Sequence, residues 1–147
     1  MIWRNHAIFT ASLLLINDQP WPAVLVATLA SSWPDRIESI FGWRHRGVSH
    51  WPGLWLALLG VSYWIRDTIV AYVLYWVAIG SLTHILADFL SKSGVPLLWP
   101  HRNVRGLGLF RVGSFAEQMF IVFWLALCVA GLLIGWFPLH WSAKRLY

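Results

Sequence analysis

TIVAYVLYWVAIGSLTHILAD, residues 68–88, carries no imidazole before His84 and no charge before Asp88. As a helix it rises about 31 Å, enough to cross the hydrocarbon core of a bilayer. A second stretch, MFIVFWLALCVAGLLIGWF at 119–137, is also uncharged and rises about 28 Å. It extends upstream to about Phe115, with Glu117 near that end. A third stretch, Trp51 to Ile65, reaches roughly 22 Å, so it must tilt little, borrow from its ends, or let Arg66 snorkel. The composition agrees with these spans. Of 147 residues 59% are hydrophobic and 12% charged, with 12 Trp and 8 Phe, far more apolar surface than one small soluble domain can hide. Disorder is excluded for the same reason.

Neither His6 to Ile16 nor Trp21 to Trp33 is long enough to cross alone, and DQPWP separates them. They form either one kinked span or a short helical hairpin that enters and leaves on one face. The expected architecture is therefore all-α, a multi-pass helical membrane bundle in one integral membrane domain, 1–147. It has three long spans plus the short N-terminal hairpin or kinked span. Arg4 ahead of an apolar stretch imitates a signal peptide, but a polar NDQ follows where a small-residue cleavage site belongs. The single cysteine, Cys128, lies in an apolar run and says little about compartment.

Charge sets the sidedness. The net charge of +5 comes from 11 Lys and Arg against 6 Asp and Glu. In the hairpin arrangement Arg4, Arg36, Arg44, Arg46, Lys92, Arg102, Arg105 and Arg111 share one side, against Arg66, Lys144 and Arg145. The positive-inside rule places the crowded side in the cytoplasm, and the two long loops stay there if the first span is continuous and Arg4 moves outside. The membrane expected is the cell inner membrane. The arginines are scattered over several loops without a helix-turn-helix context, so nucleic acid is not an expected partner. The Gly- and Pro-rich stretch from Ser91 to Ser114, with LLWP inside it, reads as an interfacial loop anchored by Trp and long enough to cover a site.

Polar residues gather at that face. His84 and Asp88 are four apart, so they project from one side of an apolar helix about one turn apart. Ionisable groups at membrane depth are kept for a pathway, a pair or a ligand. A single His–Asp hydrogen bond tying the bundle together would use the same pair. In WPDRIESIFGWRHRGVSH, residues 33–50, Pro34 marks a helix start that puts Asp35 and Glu38 on one face. His45 and His50 bracket Gly47, whose turn lets both imidazoles swing back towards Asp35. Imidazole with carboxylate suits zinc or another divalent first-row metal, whereas calcium wants oxygen alone. Polar decoration of a cytoplasmic loop is the plainer alternative. His6 stands at the mouth of the first short helix, with Thr10 one turn on and able to orient it.

The order His6, WPDRIE, HRGVSH and SLTHILADFLSKSGVPLLWP resembles the YdjM-like family of membrane-bound proteins classed as metal-dependent hydrolases. The likeness runs from His6 to about Pro100. It implies metal ligands at His6, Asp35, His50, His84 and Asp88, with His45 and Arg46 in the adjoining HRG. This chain departs from the family pattern at Ile37, where a second acid is usual and Glu38 comes one position late. It departs again at Ser49 and Trp51, and at Lys92 and Ser93. The missing acid bears on whether one or two metals are held.

The chemistry implied is hydrolysis by water that a divalent ion activates, zinc first, with manganese or iron as alternatives. Glu38 or His45 would take the proton, and Arg46 would face a phosphoryl or carboxylate oxygen. A site at headgroup level suggests a phospholipid or another amphiphilic phosphoester as substrate. The rival is a non-catalytic protein that binds or passes a metal ion. His101 adjoins the loop, but its family counterpart looks aromatic, and it is left outside the ligand set.

Overall fold

Residues 1–43, 45–66, 68–99 and 102–136 are described by the computed structural model of the chain. Arg44, Pro100, His101, Phe137, Lys144 and Arg145, all of which entered the sequence reading, lie outside the described residues.

The N-terminal third is two helices, α1 (Trp3–Ile16) and α2 (Trp21–Ala30), packed against each other. The turn between them holds Asp18 at φ 53, a left-handed conformation that Asp tolerates better than most residues, and Pro20 caps α2. The hairpin is therefore the form adopted. α3 (Trp33–Phe41) follows, with Pro34 and Asp35 in its first turn and Gly42 in the left-handed region at its end. A 3₁₀ turn (Val48–His50) leads into α4 (Pro52–Trp64).

α5 (Ile69–Leu90) is the central helix, capped by Thr68, whose hydroxyl accepts from the Ala71 amide at 3.0 Å. α6 (Phe115–Leu133) is capped by Ser114. Among the described residues these two helices are long and apolar enough to cross a membrane. The expectation of three long spans is corrected here, because α4 has 13 helical residues and rises only about 20 Å. The all-α expectation is corrected too. The stretch read as a loop contains an antiparallel pair, β1 (Val95–Trp99) and β2 (Arg102–Arg105). Pro96 sits on this two-stranded ribbon, where every strand is an edge and a missing donor is tolerated. Gly94, at φ 63, turns the chain into β1 with its α-carbon against Arg105, where a Cβ would lie 2.5 Å from the backbone.

Packing places α5 at the middle. Half of its most apolar window is buried, against 22% for α6, which leaves most of its side chains outward. α2 presents a stripe of small residues, Ala23, Ala27 and Ala30, all nearly inaccessible. Gly80 of α5 meets that stripe so closely that a Cβ would fall 2.1 Å from the Ala27 carbonyl oxygen. Trp55 of α4 fills the space beside Ala30, Val77 and Ile85, and donates its indole N–H to the Ser49 carbonyl at 2.6 Å. The close α2–α5 crossing and the Trp55 anchor bring three chain segments to the last two turns of α5.

Candidate metal centre

His84 and Asp88 occupy those last two turns and are both buried. The His84 Nδ1 lies 2.6 Å from the carbonyl oxygen of Ser31, at the end of α2. A carbonyl only accepts, so Nδ1 carries the hydrogen and the neutral ring has its lone pair on Nε2.

The same logic fixes His50. Its Nδ1 donates to Glu38 Oε1 at 2.9 Å, which again leaves Nε2 as the acceptor. Glu38 is itself saturated. It accepts from the Ser49 hydroxyl, from the Gly47 amide at 3.0 Å, from the Arg46 amide at 2.9 Å and from His45 Nδ1 at 3.0 Å. Arg46 adopts φ 63, outside the usual range of a side-chain-bearing residue, and its amide bond to Glu38 helps hold it there. A carboxylate so placed orients the histidine that donates to it.

The two free Nε2 atoms meet. They lie 3.2 Å apart. His50 Nε2 is 3.3 Å from Asp35 Oδ1 and 3.8 Å from Asp88 Oδ2, and His84 Nε2 is 3.8 Å from each of those oxygens. Ligand atoms of Asp35, His50 and His84 therefore gather in a mostly buried space, and those of His6, His84 and Asp88 gather beside it, where Arg46 and the Met1 ammonium hold the Asp88 oxygens. Acceptors such as the first three do not hold each other; a cation or a proton must stand among them. Tetrahedral zinc with bonds of about 2.0 Å leaves its ligand atoms about 3.3 Å apart, close to the separations of His50 Nε2 from His84 Nε2 and Asp35 Oδ1. Asp35 has 40% of its side chain exposed while the other three are buried, so the set is open on one edge.

Electrostatics agree. Burial works to raise the Asp35 carboxyl, but hydrogen bonding from His50 and the charge of the facing imidazoles outweigh it and hold the group at about 2. Burial works against protonation of His50, yet the carboxylates of Asp35 and Glu38 prevail and push it up. Glu38, despite burial, is held below its ordinary value by the Ser49 and Arg46 hydrogen bonds. The centre attracts positive charge.

The other residues singled out in the sequence are arranged around this set. His6 is buried against His84, and its Nε2 is 3.3 Å from Asp88 Oδ1, the oxygen that also pairs with the Met1 ammonium. Thr10, read as a partner for His6, instead shares a hydrogen bond of 2.7 Å with Thr83 on α5. His45 is close but does not join the set: 68% of its side chain is exposed and its Nδ1 turns to Glu38. Arg46 sends one guanidinium nitrogen to Asp88 Oδ2 at 3.0 Å and another to the Gly94 carbonyl, which ties the β-hairpin to the centre.

Two contributors were not assigned from sequence. The Ser31 carbonyl is a backbone atom and leaves no sequence signal. Glu117, fully buried, accepts from the Ile2 amide, the Asn5 side chain and the Gly113 amide, each at 2.7 Å, and so fixes the start of α1 and with it His6. A lone acid in the first turn of an otherwise apolar helix was its only trace.

A family model described as YdjM inner membrane protein matches residues 1–143. Two curated relatives, each named Inner membrane protein YdjM, come from Escherichia coli (strain K12) and Shigella flexneri. Each is 44% identical over 72 residues, which is 45% of this chain and 34% of the relative. The matched region thus spans well under half the length of those relatives. No solved structure matches the chain.

Proposed function

The chain belongs to the YdjM inner membrane protein family, and from that premise we propose that it is a metal-dependent hydrolase of the inner membrane. Its centre faces the cytoplasm and acts on a phospholipid or another amphiphilic phosphoester. The observation that carries the reading is the convergence of Asp35, His50 and His84, with Asp88 beside the two imidazoles and both histidine Nδ1 hydrogens already committed elsewhere. These residues fit a divalent ion, zinc before manganese or iron. Such an ion supplies Lewis acidity, lowering the pKa of water and polarising an ester or phosphoryl oxygen.

The chain's own groups divide the remaining tasks. Ser31 and Glu38 lock the two imidazoles in the tautomer that presents Nε2. The exposed edge at Asp35 admits a reactant. His45, at the rim and bonded to Glu38, is placed to accept a proton and release it to solvent. Arg46 keeps donors beyond those used by Asp88 and Gly94, enough to hold an anionic oxygen.

Depth and sidedness come from the surroundings. Arg4, Arg36, Lys92, Arg105 and Arg111 are exposed on segments at the centre's end of the bundle, which supports a cytoplasmic face. Leu98 and Leu107 are exposed on the adjoining hairpin and its exit, beside the Gly94 that Arg46 holds, which supports an amphiphilic substrate. From Ile69 to Ile79, α5 carries no acid, base or imidazole, so this helix supplies no relay for an ion across the membrane.

The test is metal analysis of detergent-purified protein together with turnover of a short-chain phospholipid and a generic phosphodiester. Expected are a co-purifying divalent metal and hydrolysis that chelation, Asp35→Asn and His50→Ala each abolish. Bound metal without turnover on that panel overturns the hydrolase in favour of a metal-binding protein. Absence of bound metal after incubation with zinc, manganese or iron overturns the centre itself.

A further inference from the structure

The end of the bundle away from His84 and Asp88 holds a cavity of about 520 Å³, between the last turn of α4 and the first turns of α5. That volume falls in the range of small-molecule sites, about 300–1,000 Å³. Its origin lies in the residues that the two helices bring together. Ser62 on α4 and Ala71 on α5 are small, and the rings of Tyr72, Tyr75 and Trp76 beside them are too rigid to fold into the space they leave. Tyr75 and Trp76 pack edge to face, with centroids 5.0 Å apart and planes at 84°, which holds that wall in place. Ser62, Ala71 and Trp76 are buried while Tyr63, Arg66 and Tyr75 are exposed, so the cavity opens outward.

A cation stands at the mouth. Arg66 donates from Nε to the Tyr63 carbonyl at 3.2 Å, and its guanidinium carbon lies 4.4 Å from the centroid of the Tyr63 ring. Both contacts turn the guanidinium back onto α4 and leave its two terminal nitrogens uncommitted: among the described residues no carboxylate meets them. Asp67, next in sequence, lies outside the described residues. A planar fork fixed against a ring suits the oxygens of a phosphate. The ring faces behind it suit a hydrocarbon chain. Depth agrees, because Tyr63 and Trp64, 68% and 84% exposed, are the residue types that gather at a membrane interface. From Tyr72 to His84 the helix rises about 18 Å, so this cavity is separate from the metal centre.

We propose that the cavity binds one anionic phospholipid, with its phosphate on the Arg66 fork and part of an acyl chain among Tyr72, Tyr75 and Trp76, in the leaflet opposite the metal centre. A free phosphate would use the fork alone. A zwitterionic lipid would bring its own ammonium beside Arg66, where like charges repel. The site requires no metal, so it stands or falls apart from the function proposed above.

The test uses the full chain in mild detergent, given equal amounts of phosphatidylglycerol and phosphatidylcholine with the same acyl chains, and reads bound lipid by native mass spectrometry. The expected result is one phosphatidylglycerol retained per chain, preferred over phosphatidylcholine by about tenfold, the factor that one hydrogen bond to a charged group supplies. Arg66→Gln should bring that preference close to unity. Ala71→Leu, which fills the space for the chain, should reduce retention of both lipids, and circular dichroism checks that each variant keeps its helix content. Equal retention of the two lipids by the unaltered chain overturns the proposal, as does an unchanged preference in Arg66→Gln. Competition by glycerol 3-phosphate as strong as that of the lipid overturns it too, since the acyl chain would then contribute nothing. So does a dimer that excludes lipid and that Ala71→Leu breaks, because the cavity would then be an interface between copies of the chain. The two lipids on the unaltered chain decide the matter even if a variant does not fold.

Discussion

α5 and α6 each bury one carboxylate near the same end of the bundle, Asp88 and Glu117, and the two are surrounded in different ways. Glu117 meets donors: three N–H groups, from Ile2, Asn5 and Gly113, converge on it at 2.7 Å. Asp88 meets two imidazole nitrogens at 3.8 Å, beyond hydrogen-bond reach, and a third at 3.3 Å that is not aligned. Arg46 pairs with its Oδ2 at 3.0 Å and the Met1 ammonium with its Oδ1, so both oxygens face cations. Both groups are buried carboxylates. The surroundings show that Glu117 is held by neutral N–H donors of the framework and that Asp88 is held by cations beside the imidazoles.

The comparison is broken most directly by removing each acid in turn. Glu117→Ala leaves three N–H groups without their acceptor, that of Asn5 buried and those of Ile2 and Gly113 partly so, at about 1–3 kcal/mol for each that stays buried and unpaired. It should be the most destabilising change in the molecule by thermal unfolding in detergent. Asp88→Asn removes the charge that pairs with Arg46 and the Met1 ammonium, so it too costs stability, but metal affinity should fall as well, by more than the roughly 10–100-fold typical of losing a ligand-orienting group. Equal losses of metal affinity in both variants would erase the distinction.

Next in size is Gly80→Val. The closest approach of α2 and α5 leaves no room for a Cβ, which would sit 2.1 Å from the Ala27 carbonyl oxygen. Overpacking of this kind typically destabilises by about 1–3 kcal/mol. Separating the helices also withdraws the Ser31 carbonyl from His84, so metal affinity should fall with stability. Calorimetry of the metal-free and metal-loaded forms checks this, and a stability loss with unchanged affinity would mean that the Ser31 contact is incidental.

How much of this was legible in the sequence follows from the same contrast. The i, i+4 pair His84 and Asp88, the Pro34 helix start that aligns Asp35 with Glu38, and the histidine at the close of HRGVSH are local patterns, and local geometry carries them into place. The part played by Glu38 was not legible, because its saturation depends on a turn in which Arg46 adopts a left-handed backbone. The Ser31 carbonyl is invisible to any reading of side chains. The β-hairpin was hidden because Gly94 and Pro96 read as breakers. In an isolated two-stranded ribbon, a proline and a tight glycine turn do no harm. α4, from Pro52 to Trp64, comes within one residue of the expected stretch at each end, and it is short because that apolar stretch is itself short.

Glu38→Gln sharpens the line between holding and binding. The amide keeps one acceptor oxygen in place of two, so His50 loses part of its orientation while the ligand atoms survive. A loss of metal affinity of about 10–100-fold is expected. Glu38 reaches the centre only through the Nδ1 hydrogen of His50 and supplies no atom to the set of Asp35, His50 and His84, so the number of ions bound at saturation should not change. A reduced count by plasma mass spectrometry would make Glu38 a ligand.

The smallest effect expected is a dependence on pH, and its sign follows from His50. In the metal-free protein the raised His50 contributes stability that is fully present below its unfolded value of about 6.5. That contribution is lost as pH rises through the higher folded value, because the proton that separates the acceptors then leaves. A metal ion replaces that proton, so its affinity should climb with pH over the same window, by up to about tenfold per unit for one proton released. The rise in melting temperature on adding zinc should therefore be larger at pH 8 than at pH 6. Asp35, held at about 2, and the lowered Glu38 stay ionised throughout this range, since their contributions fade only as pH falls through their folded values. In Glu38→Gln one of the two carboxylates that raise His50 is gone, and the window should shift downward. An equal zinc effect at both pH values would mean that no proton leaves on binding, which facing acceptors do not allow.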